Sequence, residues 1–476
     1  MVKTNNVIKI AVQGTLLLVV ALFLGMYVST SEWMVLTSLA GLGVLLYGGI
    51  LNRWHGIVIL LVVAPFYGFL RFVIGLSNQQ IIIKEALVVL ITASSMAVKV
   101  VLEKQKINWY GHDRILGIFL FLVLIQFFHS PDPMLGVLGI RIIATYIPLY
   151  FVIRYEKPTT GQIKRIMVVL FVIICLTTVY GLWQSSVGKA RLNELGLDKV
   201  ATSLGVESQN IDVVRVFSTF AGPEYFGATL ILTILLLISL WITLNKTFIK
   251  ILIIAAIMMM ILAVGLTLVR IEWGMLVLGI IFLGIFTKKY LVIMAVVILS
   301  IVAVSLAPEV IMERAKMSFG REDMSYSARK EVYTEWNLVN IGENIIGTGL
   351  GTTNGASIYS KFNKRGIASK LLGGGTTESW YAAIAIEMGL LGLTMYLWLM
   401  GAIIKHSYLI YKTSKMEYLK GLSLGFLAFV SSMAVSNIVA PMPACFPAGD
   451  LYFWVLLGII TIMYEREQET LAGETF

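Results

Sequence analysis

The sequence predicts an all-α polytopic membrane protein, with about 14 transmembrane helices and one large extracytoplasmic loop containing short helices. Three observations carry this. Hydrophobic residues make up 58% of the 476 and charged residues only 13%, where soluble domains carry about 25%. Apolar runs of roughly 18 residues or more recur from end to end, each long enough to cross a bilayer core. Lysine and arginine fall in alternate loops, as the positive-inside rule requires.

The spans start near Val7, Met34, Gly56, Ile81, Ile115, Gly136, Ile166, Tyr225, Ile251, Ile271, Leu291, Ser379, Gly421 and Leu451. The first follows a basic start without a small-residue cleavage site, so it reads as an uncleaved span. The fourth is the weakest, because Lys84 and Glu85 sit in its first turn. With the N-terminus inside, the inner loops hold Arg53, then Lys99, Lys104, Lys106 and Arg114, then Arg154, Lys157, Lys164 and Arg165. They continue with Lys246 and Lys250, Lys288 and Lys289, and finally Lys405, Lys412, Lys415 and Lys420. Short outer loops such as Ser130–Leu135 and Pro441–Asp450 hold neither lysine nor arginine. That pattern supports an even count with both termini cytoplasmic. It divides the chain into N-terminal helices (1–165), central helices (166–307), the large outer loop (308–378) and C-terminal helices with a short cytoplasmic tail (379–476).

Two outer segments break the charge rule. Gly188–Val216 contains Lys189, Arg191, Lys199 and Arg215. Pro308–Glu378 contains Arg314, Lys316, Arg321, Arg329, Lys330, Lys361, Lys364, Arg365 and Lys370. Long loops cross regardless of charge, so the topology stands. Within the second, Ser325–Asn340 reads as a short amphipathic helix with Val332, Trp336 and Val339 on one face. Gly347–Gly375 is rich in glycine and small polar residues, and no Asp or Glu occurs between Asn344 and Thr377. It reads as a mobile segment of one charge sign. The net charge of +10 is accounted for by loop anchoring, not by a nucleic-acid partner. Cys175 and Cys445 suggest no disulfide framework, and no internal repeat is apparent.

Soluble-enzyme motifs are missing: there is no Walker loop, HExxH, GxSxG or CxxC. His55, His112 and His406 fall in inner loops and His129 at an outer span end, without the convergence a zinc site needs. No metal and no cofactor is implied. Intramembrane charges are costly and face bundle interiors or wet cavities, which singles out Arg71, Arg141, Arg270, Glu272 and Glu387. Arg270 sits between two apolar runs with almost no loop, in Leu266–Met275. It reads as a snorkelling anchor, as the partner of Glu272 in an ion pair, or as an anion-gripping group. Arg215 precedes a span that Pro223 and Glu224 open as a first turn should, with Gly222 and Gly227 leaving room for other backbones. Glu387, in Glu387-Met-Gly-Leu-Leu-Gly392, reads as packing. On this topology Arg191, Arg215, Arg270, Arg329, Lys330, Lys361, Lys364 and Arg365 all lie on the outer face. Arginine matches phosphate oxygens bidentately and stays charged, so an arginine-lined site beside a bilayer suggests a polyprenyl-diphosphate-linked substrate.

Four segments, in order, resemble the O-antigen ligase and polysaccharide polymerase superfamily of bacterial envelopes. They are Arg215-Val-Phe-Ser-Thr-Phe-Ala-Gly-Pro-Glu-Tyr-Phe-Gly-Ala, Thr267-Leu-Val-Arg270, Arg329–Trp336 with Asn344-Ile-Ile-Gly-Thr-Gly-Leu-Gly351, and Glu378-Ser-Trp-Tyr with Glu387–Gly392. The resemblance covers roughly residues 166–464. It implies a metal-independent, inverting glycosyltransferase of the bacterial cytoplasmic (inner) membrane, using glycans on undecaprenyl diphosphate as donors. Arg215 and Arg270 would grip the diphosphate and stabilise it as it leaves. Arg329 and the cationic loop would close over the substrates. Membrane lipids, a flippase and a chain-length regulator are the partners it brings. Ligases of this family commonly carry a histidine near the end of the large loop. Here the stretch is Thr376-Thr-Glu-Ser-Trp, leaving Glu378 as the nearest base. Thr377 reads as an N-cap, which places Glu378 in the first helical turn and weakens it as a base. The missing histidine favours a polymerase over a ligase. A lipid-linked-saccharide flippase or transporter and an envelope scaffold are the readings from other classes. A transporter is expected to show charges at the midplane and paired repeats.

Overall fold

The computed structural model describes residues 41–72, 83–194, 215–244, 247–288, 345–353, 379–440 and 447–473, with isolated positions at 290, 294, 298, 341 and 342. Every regular element among them is helical. In chain order these are α1 (Gly41–Leu51), α2 (Arg53–Leu70), α3 (Ile83–Leu102), α4 (Gly111–His129), α5 (Pro133–Ile143), α6 (Ile147–Glu156) and α7 (Thr160–Glu194). They continue with α8 (Pro223–Thr243), α9 (Thr247–Leu266), α10 (Arg270–Thr287), α11 (Trp380–Thr413), α12 (Glu417–Ser436) and α13 (Pro447–Leu471). Nine of the described helices are long and apolar enough to cross a membrane, and α5 with α6, bent by 52° at their break, meet the same test only when taken together as one span. The chain is thus a polytopic helical membrane protein. Of the expected spans, that from Val7 falls outside the described residues and that from Leu291 largely so, as does the Ser325–Asn340 helix; that from Met34 is described from Gly41 onward, as α1.

Proline explains two of the breaks. The ring of Pro148 clashes with the carbonyl four residues back, so α5 cannot run on into α6. Pro65 does the same inside α2, where Ala64–Phe66 tightens to a 3-10 turn. The carbonyl released there, Leu61 O, accepts from Tyr452 Oη of α13 at 2.9 Å. A backbone acceptor at membrane depth has no water to turn to, so such a partner is required. The span that looked weakest, α3, is a 20-residue apolar helix. Its early charges are compensated: Arg141 donates to Glu85 at 2.8–2.9 Å, and Lys84 lies over the Tyr67 ring at 3.9 Å.

The bundle is organised around α12 and α8, 83% and 72% buried within the protein. α12 packs on α8, α10, α11 and α13. Small residues permit this approach: a Cβ on Gly425 would lie 2.7 Å from the Leu236 Cα. Close backbone packing of this kind replaces the hydrophobic drive that lipid cannot supply.

At the lysine-rich end a buried polar network ties α4, α6, α11 and α13. Arg154, fully buried, donates to Asp113 Oδ2 (2.9 Å) and Glu465 Oε1 (2.6 Å). Tyr150 Oη donates to Asp113 Oδ1 at 2.6 Å. The rings of His112 and His406, 2% and 5% exposed, lie beside it tilted by 41°, with centroids 4.2 Å apart. Both histidines were expected in loops. They lie inside α4 and α11 instead, where the network compensates their polar nitrogens: His112 Nε2 is 2.8 Å from Tyr150 Oη, and His406 Nε2 is 3.2 Å from Thr461 Oγ1.

Candidate functional site

The opposite end of the bundle carries the arginine turn. Residues 267–269 join α9 to α10, with Leu268 in the left-handed region (φ 56°). The Thr267 hydroxyl lies within hydrogen-bond reach of Val264 O (2.8 Å) and Glu272 Oε2 (3.0 Å). Trp273 Nε1 donates to Val264 O at 3.1 Å. The closed turn makes Arg270 the first residue of α10, at the positive end of that helix.

Arg215 reaches this turn from 55 positions earlier. Val216 N donates to Leu266 O (3.0 Å), and Arg215 Nε donates to Thr267 O (3.2 Å). Arg215 Nη2 donates to Glu224 Oε1 at 2.7 Å, in the first turn of α8. The Arg215 side chain is 18% exposed and that of Glu224 37%, so the pair lies at the surface of the site. The intervening segment is locked on several sides. Ser218, with φ 54°, exchanges hydrogen bonds with the Gln184 amide at 2.8 and 2.9 Å. Thr219 Oγ1 donates to Pro65 O at 2.7 Å, and Phe69 N to Thr219 O at 3.0 Å. Beneath, Glu272 is 1% exposed and fills the space over Gly227, where an added Cβ would lie 1.6 Å from Glu272 Oε2. Gly227 therefore admits a carboxylate, not the neighbouring backbone expected from sequence.

The root of the large loop docks on α4 and α11. Glu387 Oε1 accepts from Thr353 N (3.0 Å) and Thr353 Oγ1 (2.5 Å), and Oε2 accepts from Gly351 N (3.0 Å). Gln126 Nε2 donates to Ile346 O at 2.8 Å, and Ser130 Oγ to Leu350 O at 2.9 Å. Gly347, Gly349 and Gly351 take positive φ values of 76–101°, which a side chain would resist. The stretch Gly347–Thr353, read as the start of a mobile segment, is pinned. Its backbone groups have partners that glycine spacing alone does not reveal.

Just beyond, Gly389 (φ 69°, ψ −177°) breaks α11. The Trp380 and Tyr396 rings lie 6.3 Å apart, whereas 16 residues of unbroken helix would span about 24 Å. The helix starts at Trp380 with Ser379 as N-cap, its hydroxyl accepting from Ala382 N at 3.3 Å. The cap is thus Ser379 and not the expected Thr377, and Glu378 lies outside the described residues.

Of the residues singled out from sequence, the structure brings Arg215 and Arg270 to one turn. Arg141 pairs with Glu85 elsewhere. Arg329, Lys330, Lys361, Lys364, Arg365 and Glu378 lie outside the described residues, as do the side chains of Arg71 and Arg191. Sequence reasoning missed Asp450, an acid in the first turn of an apolar helix with Trp454 one turn on; that spacing was the available signal. No group of three or more potential metal ligands occurs among the described residues. The chain matches no protein-family model and no curated protein.

Proposed function

We propose that the protein is a polysaccharide polymerase of the bacterial cytoplasmic membrane, joining oligosaccharide repeat units carried on undecaprenyl diphosphate at its outer face. The observation that carries this reading is the attachment of Arg215 to the turn that bears Arg270. Two arginines far apart in sequence share one end of the bundle, beside the first turns of α8 and α10. Helix N-termini and arginines together favour a phosphate ligand, and a preorganised cation pair stabilises charge that builds on a departing diphosphate. The acceptor hydroxyl attacks the anomeric carbon in a single displacement, inverting configuration, and polyprenyl diphosphate leaves. The cationic loop residues Arg329, Lys330, Lys361, Lys364 and Arg365 close over the substrates, and Glu378 is the nearest base to the loop's end. The order of the four motifs, resembling the ligase and polymerase superfamily, supports the same assignment.

A carrier for lipid-linked saccharide is the second reading, favoured by the broken helices α5–α6 and α11, a feature of transport sites. Purified protein in nanodiscs, given the lipid-linked repeat unit without nucleotide sugar or metal, separates the readings. A ladder abolished by Arg270→Ala or Arg215→Glu is the expected result. Glycan joined to an added lipid acceptor makes the protein a ligase. Substrate moved across a proteoliposome bilayer with no new bond refutes the enzyme reading.

A further inference from the structure

A cavity of about 40 Å³ lies about one helical turn deeper along α10 than Glu272, its lining including Ala228, Met275, Trp380, Tyr396, Asp450 and Trp454. Ala228 follows the glycine that Glu272 covers, and Met275 lies about one turn beyond Glu272. Helix discontinuities converge here. The α5–α6 break contributes Ile143 and Ile147, the Gly389 break swings Trp380 in beside Tyr396, and α13 begins beside it. Irregular backbone at membrane depth persists where it is buried in protein or lines a wet cavity. The volume exceeds the roughly 10–15 Å³ that one water needs, and in a lining that is mostly apolar the Asp450 carboxylate and the Trp380 Nε1, which has no hydrogen-bond partner, are the groups that would hold it.

The polar groups in the lining are unusual for a membrane core. Asp450 Oδ1 accepts from Trp454 Nε1 at 2.9 Å. Asp450 is half-buried and belongs to the lining of the cavity. Trp380, 2% exposed, brings Nε1 toward Tyr396 without completing a hydrogen bond of normal geometry. The titratable groups facing Asp450 are the phenols of Tyr146 and Tyr396. The lining residues that α4, α8, α10 and α12 contribute are not titratable. No lysine or arginine lines the cavity among the described residues. The Trp454 indole N–H and the positive end of α13 are what make a carboxylate tolerable there.

We propose that this cavity is a wet chamber of the transfer site and that Asp450 takes up, through water, the proton released by the acceptor hydroxyl. The inference rests on the glycosyl-transfer reading. As the acceptor O–H bond breaks, its proton passes to chamber water and a water proton passes to the Asp450 carboxylate. The acceptor oxygen bonds to the anomeric carbon, the bond from that carbon to diphosphate breaks, and diphosphate leaves with the electron pair. Acting through water, Asp450 is a positioning residue for the proton and touches neither substrate.

Two measurements test this. In the nanodisc assay, Asp450→Asn lowers kcat about 100-fold, within the range for a lost acid–base group. It leaves donor KM within twofold and removes the acidic limb of the pH–rate profile, while Asp450→Glu recovers part of the rate. Independently, Asp450→Cys in a Cys175→Ser, Cys445→Ser background is labelled by a small water-soluble methanethiosulfonate. Wild-type kcat and pH profile in Asp450→Asn overturn the proton role. A monodisperse Asp450→Cys protein that stays unlabelled overturns the wet chamber, even if Asp450→Asn fails to fold. Absence of any product from the wild type refutes the transfer reading and this proton role with it, while labelling still decides the chamber.

Discussion

Replacing Glu387 with glutamine should release the root of the large loop while leaving the helix bundle intact. The carboxylate takes three donors, two on Oε1 and one on Oε2. Glutamine can keep its carbonyl oxygen toward Thr353, but its amide then faces Gly351 N–H, donor against donor. One hydrogen bond to a charged acceptor is lost, worth about 1.5–3 kcal/mol, and the two that remain fall to neutral strength, roughly 0.5–1.5 kcal/mol each. A local cost of about 4 kcal/mol or more follows, equivalent to roughly 1000-fold faster amide exchange if the turn opens as a local unit. The assay is hydrogen–deuterium exchange with mass spectrometry on peptides covering 345–353, with peptides from α8 and α12 as internal references. Exchange in 345–353 within threefold of wild type would refute the assignment of Glu387 as the clamp. Under the proposed function, the same variant also lowers chain growth.

Two further outcomes follow from the packing. Arg154→Met leaves Asp113 and Glu465 without their cation and should destabilise the detergent-solubilised protein by about 3–5 kcal/mol; a thermal-shift midpoint equal to wild type would show the network to be dispensable. Gly227→Ala drives a methyl into the Glu272 carboxylate and should cost about 1–3 kcal/mol, with an altered Trp273 fluorescence environment; an unchanged midpoint and spectrum would mean that Glu272 relocates freely.

The membrane class was legible because hydrocarbon imposes a length and a polarity on every crossing, and runs such as Ile251–Leu266 announce both. The start of α8 was legible for the same kind of reason, since Pro223 and Glu224 each satisfy a local helix rule. What stayed hidden depends on distant partners. Glu85 looked like a reason to doubt α3 because its compensating cation, Arg141, is 56 residues away. His112 and His406 looked like loop residues because the tyrosine and threonine that match them come from other helices. Arg215 and Arg270 were each marked by their neighbours, but the bond from Arg215 to the Thr267 carbonyl is tertiary and leaves no local trace. Asp450 carried a weak signal, overlooked because the outer loop before it was read for its missing cations.

The Arg154 network also bears on assembly. Asp113 precedes Arg154 in the chain, so their ion pair can form as soon as α6 follows α4 into the membrane. Glu465 is 311 residues further on, and at about 5–20 residues per second it is made roughly 15–60 s later. Through that interval Arg154 lacks its Nε and Nη2 bonds to Glu465, and the α4–α6 pair waits incompletely satisfied. Arrival of α13 completes the set, so docking of the last described helix is rewarded at a site laid down near the beginning of synthesis. A chain shortened before Glu465 would keep the early helices but lose the bonds that close them, making it a natural substrate for membrane quality control.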